Sequence, residues 1–279
     1  MIGLGTYAFF WQHSDRVPQP LSLVGAFEAT KAQSVDLFQI CDYAPLESMD
    51  DAELTDAAAA ARDLGLTIEL GTKGVEPDRL ARFLDLAGFF DARLVRSMLY
   101  SPDNRPTLAQ AQEWLRSALP AFEASGVDLA LETYEQVATA DLVSLVERIG
   151  SPRLGICLDP ANVVARLELP RDCVEATAAH VKNVHVKDFA FARQPGWVGF
   201  TYGGAPMGEG LHDYPHLLET VRPRERGVNE PDVNVPEVNE PEVNEIVEHW
   251  LSWQGDAETT IRTERDWTRQ TIEYLRSTT

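Results

Sequence analysis

Three short apolar runs in the middle of the chain each end on a residue that can bind a metal ion. Glu132, Asp159 and His185 close these runs and stand 27 and 26 residues apart. A strand, a helix and two turns take about that many residues in an α/β barrel. A fourth run, Ile246-Val247-Glu248, follows 63 residues after His185. Since the carboxyl ends of barrel strands meet on one face, the four side chains are predicted to share one site there.

Strand-like and helix-like segments alternate along the 279 residues and predict a single-domain (β/α)8 TIM barrel. The strands are rich in Val, Ile and Leu, which is typical of parallel strands covered by helices. The predicted strands are residues 2–7, 36–41, 66–70, 93–98, 127–132, 154–159, 181–188 and 245–250. A doubly wound sheet is the alternative, but it usually has a Gly-rich turn after its first strand, where this chain is bulky and aromatic.

Two segments interrupt this alternation. Residues 189–211 are aromatic and rich in glycine and follow the seventh strand, so they are predicted to form a long loop that covers the site. Residues 228–245 are a degenerate repeat of Val, Asn, Pro and acidic residues, which favours an extended insertion on the opposite face. A calcium-binding role for this repeat is the alternative, although it lacks the Gly turn of a known calcium loop.

The composition limits the partners and the location. A formal net charge of −20 disfavours binding to nucleic acid, and no apolar run is long enough to span a membrane. The first residues lack a basic region and a cleavage site and are interpreted as a strand, not a signal peptide. Three widely spaced cysteines argue against a disulfide framework, so a cytoplasmic location is expected.

Each of the four candidate ligands also has a purely structural explanation. Glu132 suits a salt bridge to a neighbouring strand, Asp159 a turn before proline, and His185 a hydrogen-bonded core position. Glu248 suits a solvent-facing position, and the adjacent His249 is a competing ligand that points to the opposite side. Taken together, three carboxylates and one imidazole suit one Mn²⁺ or Mg²⁺ ion and also accept Co²⁺ or Zn²⁺. Such an ion acts as a Lewis acid and stabilises an enediolate.

Six stretches carry a resemblance to a known family: GLGTYAFFW, FQICDYAPL, LTIELGTKG, GICLDPAN, NVHVKDF and VEHW. The sequence resembles the sugar phosphate isomerase/epimerase superfamily of xylose isomerase-like TIM barrels over nearly its whole length. Within it, these stretches are most similar to 3-oxo-isoapionate decarboxylase-like proteins. The resemblance implies that Glu132, Asp159, His185 and Glu248 bind one divalent metal ion.

Two positions depart from the expected family pattern. Many members carry Asp-x-x-His after the sixth strand, whereas this chain has Asp159-Pro-Ala-Asn162. The missing histidine argues against a deoxyribonuclease, because such relatives use more histidines to bind several metal ions. The stretch Glu132-Thr-Tyr also differs from the Glu-Asn-His expected in the decarboxylase-like group.

The resemblance implies a divalent-metal-dependent decarboxylase that acts on a 3-oxo sugar acid through a metal-stabilised enediolate. Glu132, Glu248 and Lys187 are the predicted catalytic residues. Lys187 is two residues past His185 on the same strand and points to the same side, so it is the candidate proton donor or carboxylate anchor. An ion pair with a neighbouring Asp is its structural alternative.

Two other functions remain open. A ketose 3-epimerase or an aldose–ketose isomerase would use Glu132 and Glu248 as base and acid on either side of the substrate carbon. A non-catalytic sugar-binding barrel is the third hypothesis. The partner in each case is a small sugar acid or ketose, and the sequence is compatible with a homo-oligomer. Five further residues are predicted to bind the substrate: Trp11, Gln39, Glu69, Asn162 and Arg193.

Overall fold

Eight parallel strands close into a barrel in this computed structural model, which describes residues 1–222 and 243–278. The barrel strands are β1 (Ile2–Gly5), β2 (Leu37–Cys41), β3 (Thr67–Lys73), β4 (Leu94–Met98), β5 (Asp128–Glu132), β6 (Leu154–Leu158), β7 (Val181–Val186) and β10 (Asn244–Val247). Each strand pairs with its neighbour in chain order, and β10 closes the barrel by pairing with β1. The predicted single-domain (β/α)8 fold is therefore confirmed.

The helices lie outside the barrel. They are α1 (Leu23–Ala32), α2 (Ala44–Ser48), α3 (Asp51–Asp63), α4 (Pro77–Phe90), α5 (Leu108–Ser125), α6 (Thr139–Ile149), α7 (Pro170–Thr177), α8 (Tyr214–Val221) and α9 (Ala257–Thr278). Asp50 and Glu53 form a reciprocal capping box at the start of α3, and Gly126 ends α5 with a φ of 68°. Among the helices of residues 1–222 and 243–278, none is long and apolar enough to cross a membrane.

The apolar core lies between the barrel and its helices, whereas the inside of the barrel holds a polar layer. Phe27 of α1 packs on Phe38 of β2 with ring centroids 5.4 Å apart, and both side chains are fully buried. Burying such a side chain stabilises the fold by about 1.5–3 kcal/mol. Inside the barrel, Gln39, Glu69 and Asn183 are buried as well. Buried polar groups are costly unless they are hydrogen-bonded, so these residues must find partners there.

The segment after β7 differs from the predicted loop. It contains an antiparallel hairpin in which β8 (Asp188–Arg193) pairs with β9 (Phe200–Ala205). Four of the five aromatic residues of this segment lie on these two strands, and Phe191 pairs directly with Tyr202 across the hairpin. Phe189 at the base is buried, whereas Trp197 near the tip is 78% exposed. The base of the hairpin is therefore part of the folded body, and its tip projects from it.

The first and last barrel strands also differ from the predicted bounds. The first strand ends at Gly5, and a short 3-10 helix (Thr6–Phe9) follows it. The last strand begins at Asn244, one residue before the predicted start, and Glu245 pairs with Ile2 of β1. Residues 244 and 245 therefore belong to the barrel and not to the predicted insertion. The greater part of that insertion, with its calcium-binding alternative, lies outside the described residues.

Candidate active site

The four predicted metal ligands come together at the carboxyl-terminal face of the barrel. Glu132 ends β5, Asp159 follows β6, His185 lies near the end of β7, and Glu248 follows β10. Each of these side chains is at most 3% exposed. The Nδ1 atom of His185 faces one oxygen of every carboxylate, at 3.4 Å (Glu248), 3.7 Å (Asp159) and 3.9 Å (Glu132). The structure thus groups the residues that the sequence spacing assigned to one face.

Four buried atoms of this group have no hydrogen-bond partner among the described residues, and two of them, Glu132 Oε2 and Asp159 Oδ2, form ion pairs instead. His185 Nδ1 and Glu248 Oε1 are buried, and neither is hydrogen-bonded to any residue that the structure describes. Asp159, His185 and Glu248 each offer an atom within 4.8 Å of the others. Since buried polar atoms normally have a partner, this cluster fits a divalent ion in its donor set and in its unsatisfied atoms.

Two cations balance part of the negative charge. Lys187 Nζ lies 2.7 Å from Asp159 Oδ2 and 2.6 Å from Glu248 Oε2, and Arg96 forms an ion pair with Glu132. Burial alone would raise the pKa of Asp159, but Lys187 lowers it to about 2. Burial alone would lower the pKa of Lys187, but the carboxylates raise it above its usual value. Both members of this pair therefore carry their charge at neutral pH.

The other ring nitrogen of His185 faces the inside of the barrel. His185 Nε2 lies 2.8 Å from Gln39 Oε1, and Gln39 Nε2 donates a 3.1 Å hydrogen bond to Glu69 Oε2. Asn183 Nδ2 donates to the same oxygen at 2.9 Å. Gln39 and Glu69, which were predicted to bind the substrate, are thus placed below His185 within the barrel. Neither of them lines the cavity beside the four ligands.

That cavity has a volume of about 120 Å³. Its lining residues are Tyr7, Asp42, Lys73, Arg96, Met98, Glu132, Glu135, Asn162, Lys187, Glu248 and Trp250. Of the predicted substrate-binding residues, Asn162 lies in this wall and donates a 2.8 Å hydrogen bond to Glu132 Oε1. Trp11 and Arg193 lie elsewhere. Trp11 Nε1 donates to the carbonyl oxygen of Leu251 at 2.7 Å, and Arg193 packs on the ring of Trp197 near the hairpin tip.

Several residues of the cavity wall, among them Asp42, Lys73 and Tyr7, were not predicted as site residues from the sequence. Asp42 Oδ2 lies 3.0 Å from Lys73 Nζ and accepts a 3.1 Å hydrogen bond from the hydroxyl of Tyr7. Burial alone would raise the pKa of Asp42, but Arg96 and Lys73 hold it below its usual value. Asp42 directly follows β2 and Lys73 ends β3. The strand-end rule that identified Glu132 would have found Asp42, whereas Lys73 lies three residues past the predicted end of the third strand.

Asp188 anchors the hairpin to the barrel. Its carboxylate accepts hydrogen bonds of 2.8–3.0 Å from the backbone N–H groups of Phe189, Gly208, Gly210 and His212. Hydrogen bonds to a charged acceptor contribute roughly 1.5–3 kcal/mol each. One buried carboxylate therefore holds both ends of the segment that follows β7.

The base of the hairpin also contacts the cavity wall. Tyr202 packs edge-on against Trp250 with ring centroids 5.5 Å apart, and its hydroxyl donates a 2.7 Å hydrogen bond to the carbonyl oxygen of Ala161. The Trp250 ring lies 4.9 Å from Lys187 Nζ. Aromatic surface thus covers the ammonium on one side, which excludes water from it.

The closed barrel and the buried group of three carboxylates and one imidazole on its carboxyl-terminal face define an enzyme of the TIM-barrel class with a candidate metal centre. The chain belongs to the xylose isomerase-like TIM barrel family, which it matches over residues 27–276. It is 50% identical to the 3-oxo-isoapionate decarboxylase of Pectobacterium atrosepticum over 274 residues, which are 98% of this chain and 94% of that protein.

Solved structures share the fold at low sequence identity. A D-psicose 3-epimerase determined in the presence of D-fructose has a TM-score of 0.70 at 14% identity, covering 99% of this chain and 98% of that one. A xylose isomerase-like TIM barrel protein from Mycobacterium smegmatis, in complex with magnesium, has a TM-score of 0.67 at 16% identity, covering 97% and 96%. The family match and the 50% identity to a named decarboxylase confirm the predicted family and the prediction that the chain is an enzyme.

Proposed function

We propose that this protein is a divalent-metal-dependent decarboxylase of a 3-oxo sugar acid of the 3-oxo-isoapionate type. The observation that carries the proposal is the 50% identity, over 98% of the chain, to a protein named for that reaction. The buried charges beside the cavity supply a second, independent line of support.

The donor set suits a divalent ion. Glu132, Asp159, His185 and Glu248 would hold it, because they offer three carboxylates and the Nδ1 atom of an imidazole. The ion is Mn²⁺ or Mg²⁺ by this donor set, with Co²⁺ or Zn²⁺ as alternatives. When bound, it would polarise the 3-oxo group as a Lewis acid and stabilise the negative charge that develops there.

The cations of the cavity suit an acidic substrate. Lys187, Arg96 and Lys73 all line the space beside the ligands. In the proposed reaction the bond between the substrate carboxylate and the adjacent carbon breaks, carbon dioxide leaves, and the electron pair passes toward the 3-oxo group. A proton is then added to that carbon. Lys187 would hold the carboxylate before the bond breaks and would then donate the proton.

Carbon dioxide release tests the proposal directly. The protein is treated with EDTA, supplied with Mn²⁺ or Mg²⁺, and incubated with a 3-oxo sugar acid. We expect carbon dioxide release that is abolished by EDTA and restored by the ion. Absence of release with every one of the four candidate ions would overturn the decarboxylase, and release that survives EDTA would overturn its metal dependence.

A ketose 3-epimerase or an aldose–ketose isomerase is the second candidate. Glu132 and Glu248 line the same cavity, which is the arrangement that a paired base and acid need. Burial raises the pKa of Glu132, although its ion pair with Arg96 opposes the shift, and this suits Glu132 to the role of the acid. Exchange of deuterium from solvent into a free ketose, without carbon dioxide release from any 3-oxo sugar acid, would favour this candidate instead.

A further inference from the structure

A hydrogen-bonded chain connects His185 to a carboxylate that has no part in the proposed reaction. His185 Nε2 lies 2.8 Å from Gln39 Oε1, and Gln39 Nε2 donates to Glu69 Oε2 at 3.1 Å. All three side chains are at most 2% exposed, so bulk water does not compete for these hydrogen bonds. Such partners of a ligand imidazole fix its orientation and its tautomer.

Glu69 determines which way the Gln39 amide faces. The carboxylate accepts hydrogen bonds from three amide groups: Gln39 Nε2, Asn183 Nδ2 at 2.9 Å and Asn244 Nδ2 at 2.7 Å. Amide nitrogens only donate, and a carboxylate surrounded by three of them acts only as an acceptor. The nitrogen of Gln39 therefore faces Glu69, and its oxygen is left to face His185.

An amide oxygen beside Nε2 selects one tautomer of the imidazole. The oxygen can only accept, so Nε2 must carry the hydrogen, and the lone pair of a neutral His185 is on Nδ1. Nδ1 is the ring nitrogen that faces the three carboxylates of the site. It has no hydrogen-bond partner within the described residues. An imidazole nitrogen with a free lone pair is the form that binds a metal ion.

We infer that Gln39 and Glu69 are positioning residues, which hold His185 in the tautomer with hydrogen on Nε2 and so prepare Nδ1 to bind a divalent metal ion. The inference rests on the metal dependence of the proposed function, but it concerns metal binding in the absence of any substrate. Loss of the orienting partner of a metal ligand typically weakens metal affinity 10–100-fold. A flipped Gln39 amide would place a donor beside Nε2 and move the hydrogen to Nδ1, which blocks the site.

The affinity for Mn²⁺ alone tests this inference by titration calorimetry of the purified protein. Glu69→Gln is nearly isosteric, but its amide no longer accepts three hydrogen bonds, so Gln39 is free to turn. We expect this variant to bind Mn²⁺ roughly 10–100-fold more weakly than the wild-type protein. The exchange variant Gln39→Glu/Glu69→Gln places a carboxylate directly beside Nε2 and an amide behind it. We expect the exchange to restore most of the lost affinity.

A second measurement reads the tautomer itself. In protein labelled with ¹⁵N-histidine and freed of metal, at a pH where the imidazole is neutral, we expect His185 to carry its hydrogen on Nε2. We expect Glu69→Gln to give a mixture of both tautomers and the exchange variant to return to one. Glu264→Gln is the matched control, because Glu264 is also a fully buried carboxylate but lies on α9, where it bonds to Trp11 and Gln12.

Three outcomes would overturn the inference: wild-type Mn²⁺ affinity in Glu69→Gln, an equal loss of affinity in Glu264→Gln, or no recovery in a folded exchange variant. A wild-type protein that binds no Mn²⁺, Mg²⁺, Co²⁺ or Zn²⁺ would overturn it as well. If the affinities follow the expected pattern but no 3-oxo sugar acid releases carbon dioxide, the proposed reaction fails and the inference stands.

Discussion

Lys187 Nζ lies 2.6 Å from Glu248 Oε2, inside the group of side chains that would bind a metal ion. The same ammonium is 2.7 Å from Asp159 Oδ2. A cation that neutralises two ligand carboxylates opposes the binding of a second cation by like-charge repulsion. It is also well placed to attract a substrate carboxylate. Substitution of Lys187 separates these two effects, because loss of the ammonium should strengthen metal binding and weaken substrate binding.

Lys187→Met should abolish most of the activity and spare metal binding. We expect the rate of carbon dioxide release to fall by roughly 10²–10⁴-fold, the range for loss of a group that transfers a proton. We expect Mn²⁺ to bind as tightly as in the wild-type protein or more tightly, because the competing ammonium is gone. Lys182→Met is the control, since Lys182 lies at the other end of β7 and pairs with Asp128. Equal loss of activity and of Mn²⁺ affinity in Lys187→Met would contradict the assigned role.

Asp159→Asn should weaken metal binding while the fold stays intact. The amide cannot supply the negative charge that a divalent ion needs. Loss of a residue that only orients a ligand weakens metal affinity by up to about 100-fold, so we expect loss of the ligand Asp159 to weaken Mn²⁺ affinity by more than that. Calorimetric titration measures the affinity, and far-ultraviolet circular dichroism checks the fold. Asp128→Asn, at the opposite end of the barrel, should leave the affinity unchanged. Normal Mn²⁺ binding by folded Asp159→Asn would remove this residue from the ligand set.

Gly210→Ala should detach the hairpin from the barrel. A Cβ atom at this position would lie 2.2 Å from Asp188 Oδ1 and 2.5 Å from the carbonyl oxygen of Phe189. We expect a destabilisation of about 1–3 kcal/mol and faster proteolytic cleavage within residues 194–199. Gly203→Ala is the control, because no described atom lies within 4 Å of a Cβ atom there. Equal cleavage rates in the two variants would show that Asp188 does not hold the hairpin.

Glu264 should make the protein more stable in mild acid than in mild base. Burial raises its pKa from the usual 4.5 to about 7, so the folded protein binds this proton more tightly than the unfolded chain does. The resulting stabilisation is complete below a pH of about 4.5 and is lost as the pH rises through about 7. Urea unfolding should give a free energy up to about 3 kcal/mol higher at the acidic end of this window than above it. Glu264→Gln should lose most of that difference, and a difference that persists unchanged would assign it to other groups.

The fold and the grouping of the four candidate ligands could be predicted because both depend on the spacing of residues along the chain. Parallel barrel strands repeat at a regular distance along the chain and end on one face, so Glu132, Asp159 and His185 had to be neighbours. Glu248 could be assigned in the same way once the long gap before it was divided between two segments. None of this required knowledge of side-chain contacts.

Gln39 and Glu69 show where spacing is insufficient. The alternation of side chains along a strand places both residues inside the barrel, but their height along its axis depends on where the strand ends. The third strand was predicted to end at residue 70, before Gly71, whereas β3 continues to Lys73. Glu69 therefore lies below the rim, and Lys73 takes the position at the cavity.

The hairpin was missed for a related reason. Its strands contain five glycine and alanine residues, and such small residues weaken the sequence pattern of a strand: Ala190, Ala192, Gly203, Gly204 and Ala205. The two strands of the hairpin are held together instead by contacts between side chains on opposite strands. Phe191 and Tyr202 face each other across the hairpin with ring centroids 5.0 Å apart.

The seam that closes the barrel has a consequence for the order of events during synthesis. β1 pairs with β10, and Trp11 contacts Leu251 across 240 residues of sequence. Glu248 directly follows the strand that makes this seam. During synthesis, the first three candidate ligands therefore emerge from the ribosome before Glu248. At that stage the sheet still has an open edge and the candidate metal site lacks its fourth residue. Under the proposed function, a newly made molecule acquires its ion only after the ends of the barrel have met.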